Sequence, residues 1–251
     1  MPVSVKIIAA GLVAAFLGGC AGPEVTSDVY DPLEPMNRGV HEFNKGVDKI
    51  VLRPSSQAYG SVVPEPVRNR FSDLSTHLST PSAIVNDVLQ LNLVDAMHNT
   101  TRFLANTIFG LGGLFDPATA GGVEFRDSDF GETMHVWGVG EGAYVELPFF
   151  GPSTMRDTVG LVVDYTTDPV GAALSYPEAY VVPVAYVLKL MSDRYKFEAT
   201  FDSILYDSAD SYAQSRLLYL ENRRFELGVE QDEEEMYEDL YEGLYDDFGF
   251  E

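Results

Sequence analysis

The sequence predicts a mainly α-helical fold, and three observations carry this prediction. Apolar residues recur at three- and four-residue spacing through most of the chain, which is the period of one face of an α-helix. Helix-starting and helix-ending residues stand at the borders of these stretches. No run of alternating strands and no internal repeat of fixed period interrupts them. We therefore expect a bundle of amphipathic helices with one small hairpin or loop in the middle.

The first half of the chain contains four predicted helices. The first begins at Asp31, which can cap it, and should end at Arg53-Pro54, because the residue before a proline avoids the α conformation. The others begin at Pro64, at Pro81 and at Asp95, and Gly110 ends the fourth. Their apolar stripes comprise, in chain order, Leu33, Met36, Val40, Phe43, Val47, Ile50 and Val51; Val67, Phe71, Leu74 and Leu78; Ile84, Val85, Val88, Leu89 and Leu91; and Phe103, Leu104, Ile108 and Phe109.

The middle of the chain is richer in glycine. Residues 109–122 are apolar and glycine-rich, and residues 138–142 contain three glycines. Between them, Asp129 and Glu132 form a capping-box pair for a short helix. Residues 144–150 are typical of a brief extended segment. This is where we expect the hairpin or loop.

Three helices are predicted after this region. Thr154 and Asp157 can cap the first, which carries a valine stripe. The other two cover about residues 180–206 and 209–227, and Gly228 closes the last.

Residues 229–251 form an acidic tail, with 11 acidic residues and no Lys or Arg. Such tails are usually solvated and disordered. The same tail would present an apolar stripe if it became helical, and could then recruit a basic partner. Both interpretations remain open. The stripe comprises Met236, Leu240, Leu244 and Phe248, beside Tyr237, Tyr241 and Tyr245.

The N-terminus has the features of a lipoprotein export signal. Lys6 precedes an apolar run over residues 7–17, which is shorter than the roughly 20 residues that span a bilayer. Leu17-Gly18-Gly19-Cys20 resembles a lipobox, whose cysteine is acylated before cleavage. We therefore predict a signal peptide over residues 1–19 and lipidation of Cys20. Ala21, the next residue, favours the outer membrane over retention in the inner one.

Length and charge define the rest of the organisation. The chain has 251 residues, which suits a tether over residues 20–28 and one folded domain over residues 29–228. A formal net charge of −23 disfavours nucleic acid as a partner and disfavours attraction to anionic headgroups. Contact with a membrane must therefore depend on the anchor and on apolar surface.

Signatures of catalysis, cofactor binding and metal binding are scarce. Neither a Gly-x-Ser-x-Gly elbow nor a Gly-x-x-x-x-Gly-Lys loop is present. The four histidines, at positions 41, 77, 98 and 135, lack the spacing of a metal site. The glycines of residues 138–142 follow a predicted helix rather than a strand, so they do not form a dinucleotide-binding loop. We expect no enzyme, no cofactor and no metal.

The apolar glycine-rich stretch has two interpretations. Its large side chains could pack in a core, with glycines allowing close backbone approach. Alternatively, its loops contact lipid in a ring of helices that lies in one membrane leaflet. A lipid anchor favours the second interpretation. The candidate residues for a lipid channel or membrane contact are Asn44, Phe109, Leu111, Leu114, Phe115, Gly138, Gly140, Tyr144, Leu147, Phe149 and Phe150.

Many short motifs, in order, resemble the MlaA (VacJ) lipoproteins, and the resemblance spans about residues 29–227. The main ones are Asp31-Pro32-Leu33-Glu34-Pro35-Met36-Asn37-Arg38, Phe43-Asn44, Asn106-Thr107-Ile108-Phe109-Gly110-Leu111-Gly112-Gly113-Leu114, Asp129-Phe130-Gly131-Glu132-Thr133, Trp137-Gly138-Val139-Gly140 and Gly151-Pro152-Ser153-Thr154. Ala143 departs from the family's usual Pro.

The resemblance implies a function that composition does not show. Family members form a ring of helices in the periplasmic leaflet of the outer membrane, with an amphipathic channel through it. Phospholipids misplaced in the outer leaflet pass through this channel to a soluble periplasmic carrier similar to MlaC. Members associate with trimeric porins, and the outer membrane stays asymmetric. The resemblance thus implies retrograde phospholipid transport.

Two alternatives remain open at this point. One is a structural envelope lipoprotein that braces a porin without transporting lipid. The other is a membrane-bound lipid hydrolase, which a convergence of Ser153 or Ser128 with His135 would favour.

Overall fold

The computed structural model describes residues 30–229, which form a mainly helical fold with one two-stranded hairpin. The predicted fold class is confirmed in these respects. The signal peptide, Cys20, the tether up to residue 28 and the acidic tail from residue 230 lie outside the described residues. The first elements are α1 (Glu34–Val47), a first π-helical turn (Asp48–Leu52), α2 (Arg53–Val62), α3 (Glu65–Leu89), α4 (Leu93–Ile108), α5 (Pro117–Ala120) and α6 (Phe130–Val136).

The hairpin and five further α-helices complete the described part of the fold. In the hairpin, Tyr144 lies opposite Thr154 and Leu147 opposite Gly151 in an antiparallel register. The elements are β1 (Tyr144–Leu147), β2 (Gly151–Thr154), α7 (Met155–Thr167), α8 (Pro169–Ala173), a 3-10 turn (Glu178–Tyr180), α9 (Val181–Lys196), α10 (Glu198–Asp202), a second π-helical turn (Ser203–Asp207) and α11 (Ser211–Glu226).

The first helix differs from its predicted bounds at both ends. Leu33, not Asp31, occupies the N-cap position of α1. The chain does not stop at Arg53-Pro54 either, because the first π-helical turn carries it into α2. The Arg53 N–H bonds to the Asp48 carbonyl, and Pro54 falls in the first turn of α2, where a missing N–H needs no partner.

Two further helix starts are corrected. Pro81 lies inside the 25-residue α3 and does not begin a new helix. Packing of α3 against both α4 and α9 offsets the hydrogen bond that an internal proline removes. Asn92 rather than Asp95 caps α4, since its side chain accepts a bond from the Asp95 N–H. An asparagine is as good a cap as an aspartate, so local preference could not choose between them.

The caps and the hairpin of the second half are confirmed. Asp129 caps α6 by accepting from the Glu132 N–H, and Thr154 caps α7 by accepting from the Asp157 N–H. The extended segment becomes β1. The predicted helix over residues 180–206 is divided into α9, α10 and the second π-helical turn. The short α8 was not predicted.

Contacts between elements form a closed circuit. Helix α2 packs on α9, α9 on α3, α3 on α6, α6 on α7, and α7 on the hairpin. The hairpin contacts α1, which leads back to α2 through the first π-helical turn. Helix α4 lies beside α3, and α11 covers β2 and the second π-helical turn. This connectivity agrees with a ring-like arrangement of the elements.

Burial is inverted relative to an ordinary water-soluble domain. Among the described residues, nine apolar side chains are buried, against twenty polar or charged ones. Forty large apolar side chains are exposed in the same part of the chain. Soluble proteins bury such side chains and seldom expose large apolar patches. The surface of this fold therefore suits an apolar environment, whereas its interior is held together by hydrogen bonds and ion pairs.

Candidate functional site

The loop between α4 and α5, residues 109–116, presents apolar side chains outward. Phe109 and Leu111 are 76% and 71% exposed, and Leu114 and Phe115 are more than two-fifths exposed. The structure thus places these four predicted residues on the surface rather than in a core. We call residues 109–116 the α4–α5 loop.

The backbone of this loop depends on its glycines. Leu111, Gly112 and Gly113 have φ angles of 54°, 70° and 89°, a left-handed run that favours glycine. A Cβ on Gly113 would lie 2.2 Å from the His77 ring, which itself stacks on Phe103. Burial, followed by the charge of Arg102, lowers the pKa of His77, so this ring is neutral at pH 7.

A polar clamp holds the far end of the loop. Asp116 accepts hydrogen bonds from Arg102, Asn106 and Thr119, and caps α5. Burial alone would raise the pKa of Asp116, but the bonds from Thr119, Asn106 and Arg102 lower it to about 2. The buried Arg102 also donates to the Val123 carbonyl. An ionised carboxylate therefore fixes the apolar loop to α4.

A second clamp joins α1 to the hairpin. The Asn37 amide donates to the Tyr144 carbonyl and accepts from the Glu146 N–H at 3.0 Å each. The Asn44 amide donates to the Leu147 carbonyl at 2.9 Å and accepts from the Phe149 N–H at 2.8 Å. Asn37 and Asn44 are seven positions apart, which is about two helical turns, so both amides lie on one face of α1. They bond to β1 and the hairpin turn as the backbone of a third strand would.

The tip of the hairpin is apolar and exposed. Phe149 and Phe150 are 72% and 63% exposed, and Phe149 adopts φ 69°. The Phe149 ring meets Phe43 edge-on at 5.2 Å between centroids. Leu147 is half-buried. Tyr144 is placed differently from the other candidates, since it is 1% exposed and donates to Glu146.

A third apolar turn, between α3 and α4, was missed as a site. Leu91 has φ 60° and is 83% exposed, and the neighbouring Leu93 and Val94 are also exposed. The Leu-x-Leu-x-Leu spacing of Leu89, Leu91 and Leu93 across a turn was the available signal. Leu91, Leu111 and Phe149 are the three non-glycine residues with positive φ in the described chain. Each is an exposed apolar residue in a turn.

The glycine segment after α6 lies beside the α3–α4 turn. Gly138 has φ 86°, and both Gly138 and Gly140 are exposed. The preceding Trp137 is 55% exposed and donates from its indole to the Leu89 carbonyl at 3.2 Å. This bond joins the end of α6 to the end of α3, next to the missed turn.

The residues proposed for a hydrolase do not converge. Within residues 30–229, Ser153 bonds to Thr158, Ser128 accepts from Gln90, and the His135 ring faces Arg156. Three other polar side chains do lie within hydrogen-bond distance of one another. The His41 ring lies 3.0 Å from the Ser211 hydroxyl and 3.3 Å from Glu146. All three are less than a tenth exposed, so the serine is closed to a substrate in this structure and the set joins α1, β1 and α11.

Comparison with known proteins gives the family. The sequence model described as MlaA lipoprotein matches residues 29–226. The chain belongs to the MlaA lipoprotein family. This confirms the resemblance found in the sequence motifs.

Characterised MlaA proteins are similar over most of their length. The chain is 33% identical over 225 residues to the intermembrane phospholipid transport system lipoprotein MlaA of Escherichia coli, with 88% of each chain covered. It is 32% identical to the protein of that name from Haemophilus influenzae, with 88% and 90% covered. A solved structure that concerns maintenance of bacterial outer membrane lipid asymmetry matches with a TM-score of 0.69 and 32% identity, over 78% of this chain and 98% of that one.

Proposed function

We propose that this chain is an outer-membrane lipoprotein of phospholipid transport, which removes misplaced phospholipid from the outer leaflet and passes it towards the periplasm. The observation that carries the proposal is the inverted burial of the fold, with apolar residues outside and hydrogen-bonded polar residues inside. The family relatives are transport proteins by name, and the similar solved structure concerns lipid asymmetry. These comparisons favour transport over catalysis.

The exposed apolar turns support insertion of the domain into one leaflet. No helix within residues 30–229 is both long enough and apolar enough to cross a membrane. Leu91, Leu111 and Phe149 hold a backbone conformation that costs roughly 1–2 kcal/mol for a non-glycine residue. These three positions carry large apolar side chains although the backbone there favours glycine and the side chains are exposed. Contact with acyl chains would remove their apolar surface from water, which is favourable. We place the α4–α5 loop, the hairpin tip and the α3–α4 turn in the leaflet.

A passage with polar groups would lower the barrier to lipid transfer. A headgroup that crosses hydrocarbon without partners pays a large desolvation cost. The closed circuit of elements could surround a passage, and no covalent step would be needed. Asn44, Gly138, Gly140 and Leu147 stay candidates for lining it. Tyr144 acts instead as a buried support of the hairpin.

The anchor and the partners complete the proposal. Lipid on Cys20 holds the domain at the periplasmic leaflet of the outer membrane. A trimeric porin is the proposed membrane partner, and a soluble carrier similar to MlaC receives the phospholipid. The acidic tail could recruit that carrier through its Met, Leu and Tyr stripe. Unchanged carrier binding after removal of residues 229–251 would contradict this role of the tail.

The decisive experiment measures outer-leaflet phosphatidylethanolamine with an amine-reactive probe that does not cross the membrane. Cells lacking the gene should label more strongly than wild-type cells, and the wild-type gene should reverse the increase. Equal labelling in an intact membrane, with no redundant system, would favour a lipoprotein that only braces a porin. Crosslinking would then identify the partner.

A further inference from the structure

A polar cleft lies between the start of α3 and the end of α9. It has a volume of about 380 Å³, and its lining includes Glu65, Arg68, Ser192, Tyr195, Lys196 and Glu198. Small-molecule sites typically enclose about 300–1,000 Å³. We call it the α3–α9 cleft. Its size is sufficient for a ligand, so the chemistry of its lining decides which ligand fits.

The lining carries both signs of charge, yet these charges are not neutralised by one another. Within the described chain, Glu65, Arg68 and Lys196 form no ion pair, and Glu198 accepts a hydrogen bond from the neutral amide of Gln57. Glu65 stands in the first turn of α3 and Lys196 in the last turn of α9, so helix dipoles stabilise both. Two cations and two carboxylates in one cleft match a ligand that is itself a zwitterion.

Ser192 is the second observation that points to a ligand. It is 6% exposed and lines the cleft, but its hydroxyl donates to no residue among those that the structure describes. The hydroxyl oxygen is open to the cleft, whereas the Nε of Arg68 is shielded from solvent and has no hydrogen-bond partner among the described residues. Buried polar groups nearly always have such a partner. Both groups are suited to donate to an acceptor that enters the cleft.

The guanidinium of Arg68 is held in one orientation before any ligand binds. Its Nη1 donates to the Gly60 carbonyl at 2.5 Å and to the Val63 carbonyl at 2.8 Å, and its guanidinium lies 4.9 Å from the centre of the Tyr195 ring. The Tyr195 ring in turn occupies the space that a Cβ on Gly60 would need. This guanidinium has no carboxylate partner among residues 30–229 and little freedom to move, which reduces the entropy lost on binding an anion.

We propose that the α3–α9 cleft binds the phosphoethanolamine headgroup of phosphatidylethanolamine. Arg68, Ser192 and Lys196 hold the phosphate. Glu65 and Glu198 accept hydrogen bonds from the primary ammonium. A phosphatidylglycerol headgroup lacks the ammonium, so both carboxylates would face it without a partner. The choice of a lipid as the source of this headgroup rests on the proposed transport function.

The test is calorimetric titration of the full-length lipidated protein in detergent with three probes. These are dihexanoyl-phosphatidylethanolamine, dihexanoyl-phosphatidylglycerol and O-phosphoethanolamine. The ethanolamine lipid should bind at least about tenfold more tightly than the glycerol lipid. Ser192→Ala and Lys196→Ala should each weaken its binding about tenfold, a loss that corresponds to roughly 1.4 kcal/mol. Lys49→Ala, which removes an exposed lysine outside the cleft, should leave it unchanged.

Three results would overturn the proposal. The first is that the Ser192 and Lys196 variants bind the ethanolamine lipid as tightly as wild type does. Helical content and melting temperature show whether these variants are folded. The second is equal binding of the two lipids. The third is binding of O-phosphoethanolamine as tight as that of the ethanolamine lipid, which would make the ligand a soluble compound. Weaker binding of O-phosphoethanolamine that disappears in the same variants supports a lipid headgroup.

The outer-leaflet assay separates this proposal from the transport proposal. If the wild-type gene clears phosphatidylethanolamine and the cleft variants clear it equally fast, the cleft has no part in transport and only the present inference fails. If the wild-type gene itself clears none, the transport proposal fails. Slower clearance by the cleft variants, but not by Lys49→Ala, supports both.

Discussion

The side-chain carbonyl of Asn44 accepts a hydrogen bond from the backbone N–H of Phe149 over 2.8 Å, across 105 positions of sequence. The same amide donates to the Leu147 carbonyl, so one side chain of α1 holds the end of β1 and the hairpin tip. Phe149 adopts a left-handed backbone while its ring contacts Phe43, the neighbour of Asn44. Asn44 therefore determines where the two exposed phenylalanines of the tip point.

Asn44→Ala should loosen the hairpin tip without unfolding the domain. The substitution leaves the Phe149 N–H and the Leu147 carbonyl without their partner, which costs about 1–3 kcal/mol where these groups are shielded from water. The Phe149 amide should exchange with solvent at least about tenfold faster, as measured by hydrogen exchange. Outer-leaflet clearance should slow in parallel.

Asn222→Ala is the matched control. It removes an exposed asparagine of α11 whose side chain bonds, within the part of the chain that the structure describes, only to Glu226 on its own helix. Exchange at Phe149 should not change in this variant. If Asn44→Ala also leaves that exchange unchanged, the clamp does not hold the tip.

The local parts of this fold were predictable from sequence, because caps depend on residues three apart. Thr154 with Asp157 and Asp129 with Glu132 each form the predicted contact. The error at Pro81 has the opposite cause. A proline is a good helix start by local preference, but packing of α3 on two neighbouring helices keeps it within one long helix.

The site was predictable only in part. The apolar glycine-rich stretch identified the α4–α5 loop, because its composition alone is unusual. The clamp between Asn37, Asn44 and the hairpin joins segments about a hundred residues apart, and no spacing rule links them. Family motifs pointed to Asn44 without giving its partner. The apolar segment predicted Tyr144 as a contact residue, whereas the structure buries Tyr144, Val145 and Glu146 alike. Alternation along the strand could therefore not have placed it.

Leu111→Asn should keep the fold and weaken its contact with lipid. Asparagine tolerates the left-handed conformation better than leucine, and the leucine side chain is 71% exposed, so stability in detergent should stay within about 1 kcal/mol of wild type. Flotation with phosphatidylethanolamine vesicles should fall, because apolar surface is lost. The comparison uses chains that begin at Ala21, because both the lipid anchor and the apolar run of residues 7–17 would otherwise mask the effect.

Leu217→Gln provides the comparison for Leu111→Asn. It replaces an exposed leucine of the largely polar helix α11. Flotation of this variant should equal that of the parent chain that begins at Ala21. Loss of flotation in Leu217→Gln but not in Leu111→Asn would move the membrane contact away from the α4–α5 loop.

Asp116 should make stability depend on acid pH. The bonds that lower its pKa in the folded state to about 2 are worth most when the carboxylate is ionised. The unfolded chain has the higher, ordinary pKa near 3.8, so this contribution is present above about pH 4 and is lost as the pH falls towards 2. Denaturant unfolding at a series of pH values should show this loss in wild type. Asp116→Asn should weaken this dependence of the free energy of unfolding on pH. Asp207→Asn, which replaces an exposed aspartate, should leave the dependence unchanged.

Substitutions at Gly112 and Gly113 separate two contributions to the stability of the α4–α5 loop, namely its backbone strain and its packing against His77. Both have positive φ, but a Cβ on Gly113 would lie 2.2 Å from the His77 ring, whereas a Cβ on Gly112 would meet no described residue within 4 Å. Gly112→Ala should therefore cost only the backbone strain, about 1–2 kcal/mol. Gly113→Ala adds displacement of a ring that is stacked on Phe103, so its free energy of unfolding should fall by about 1–3 kcal/mol more. The two variants are compared by denaturant unfolding in the same detergent. Equal losses would mean that the His77 ring moves aside freely, and packing against it would then not position the loop.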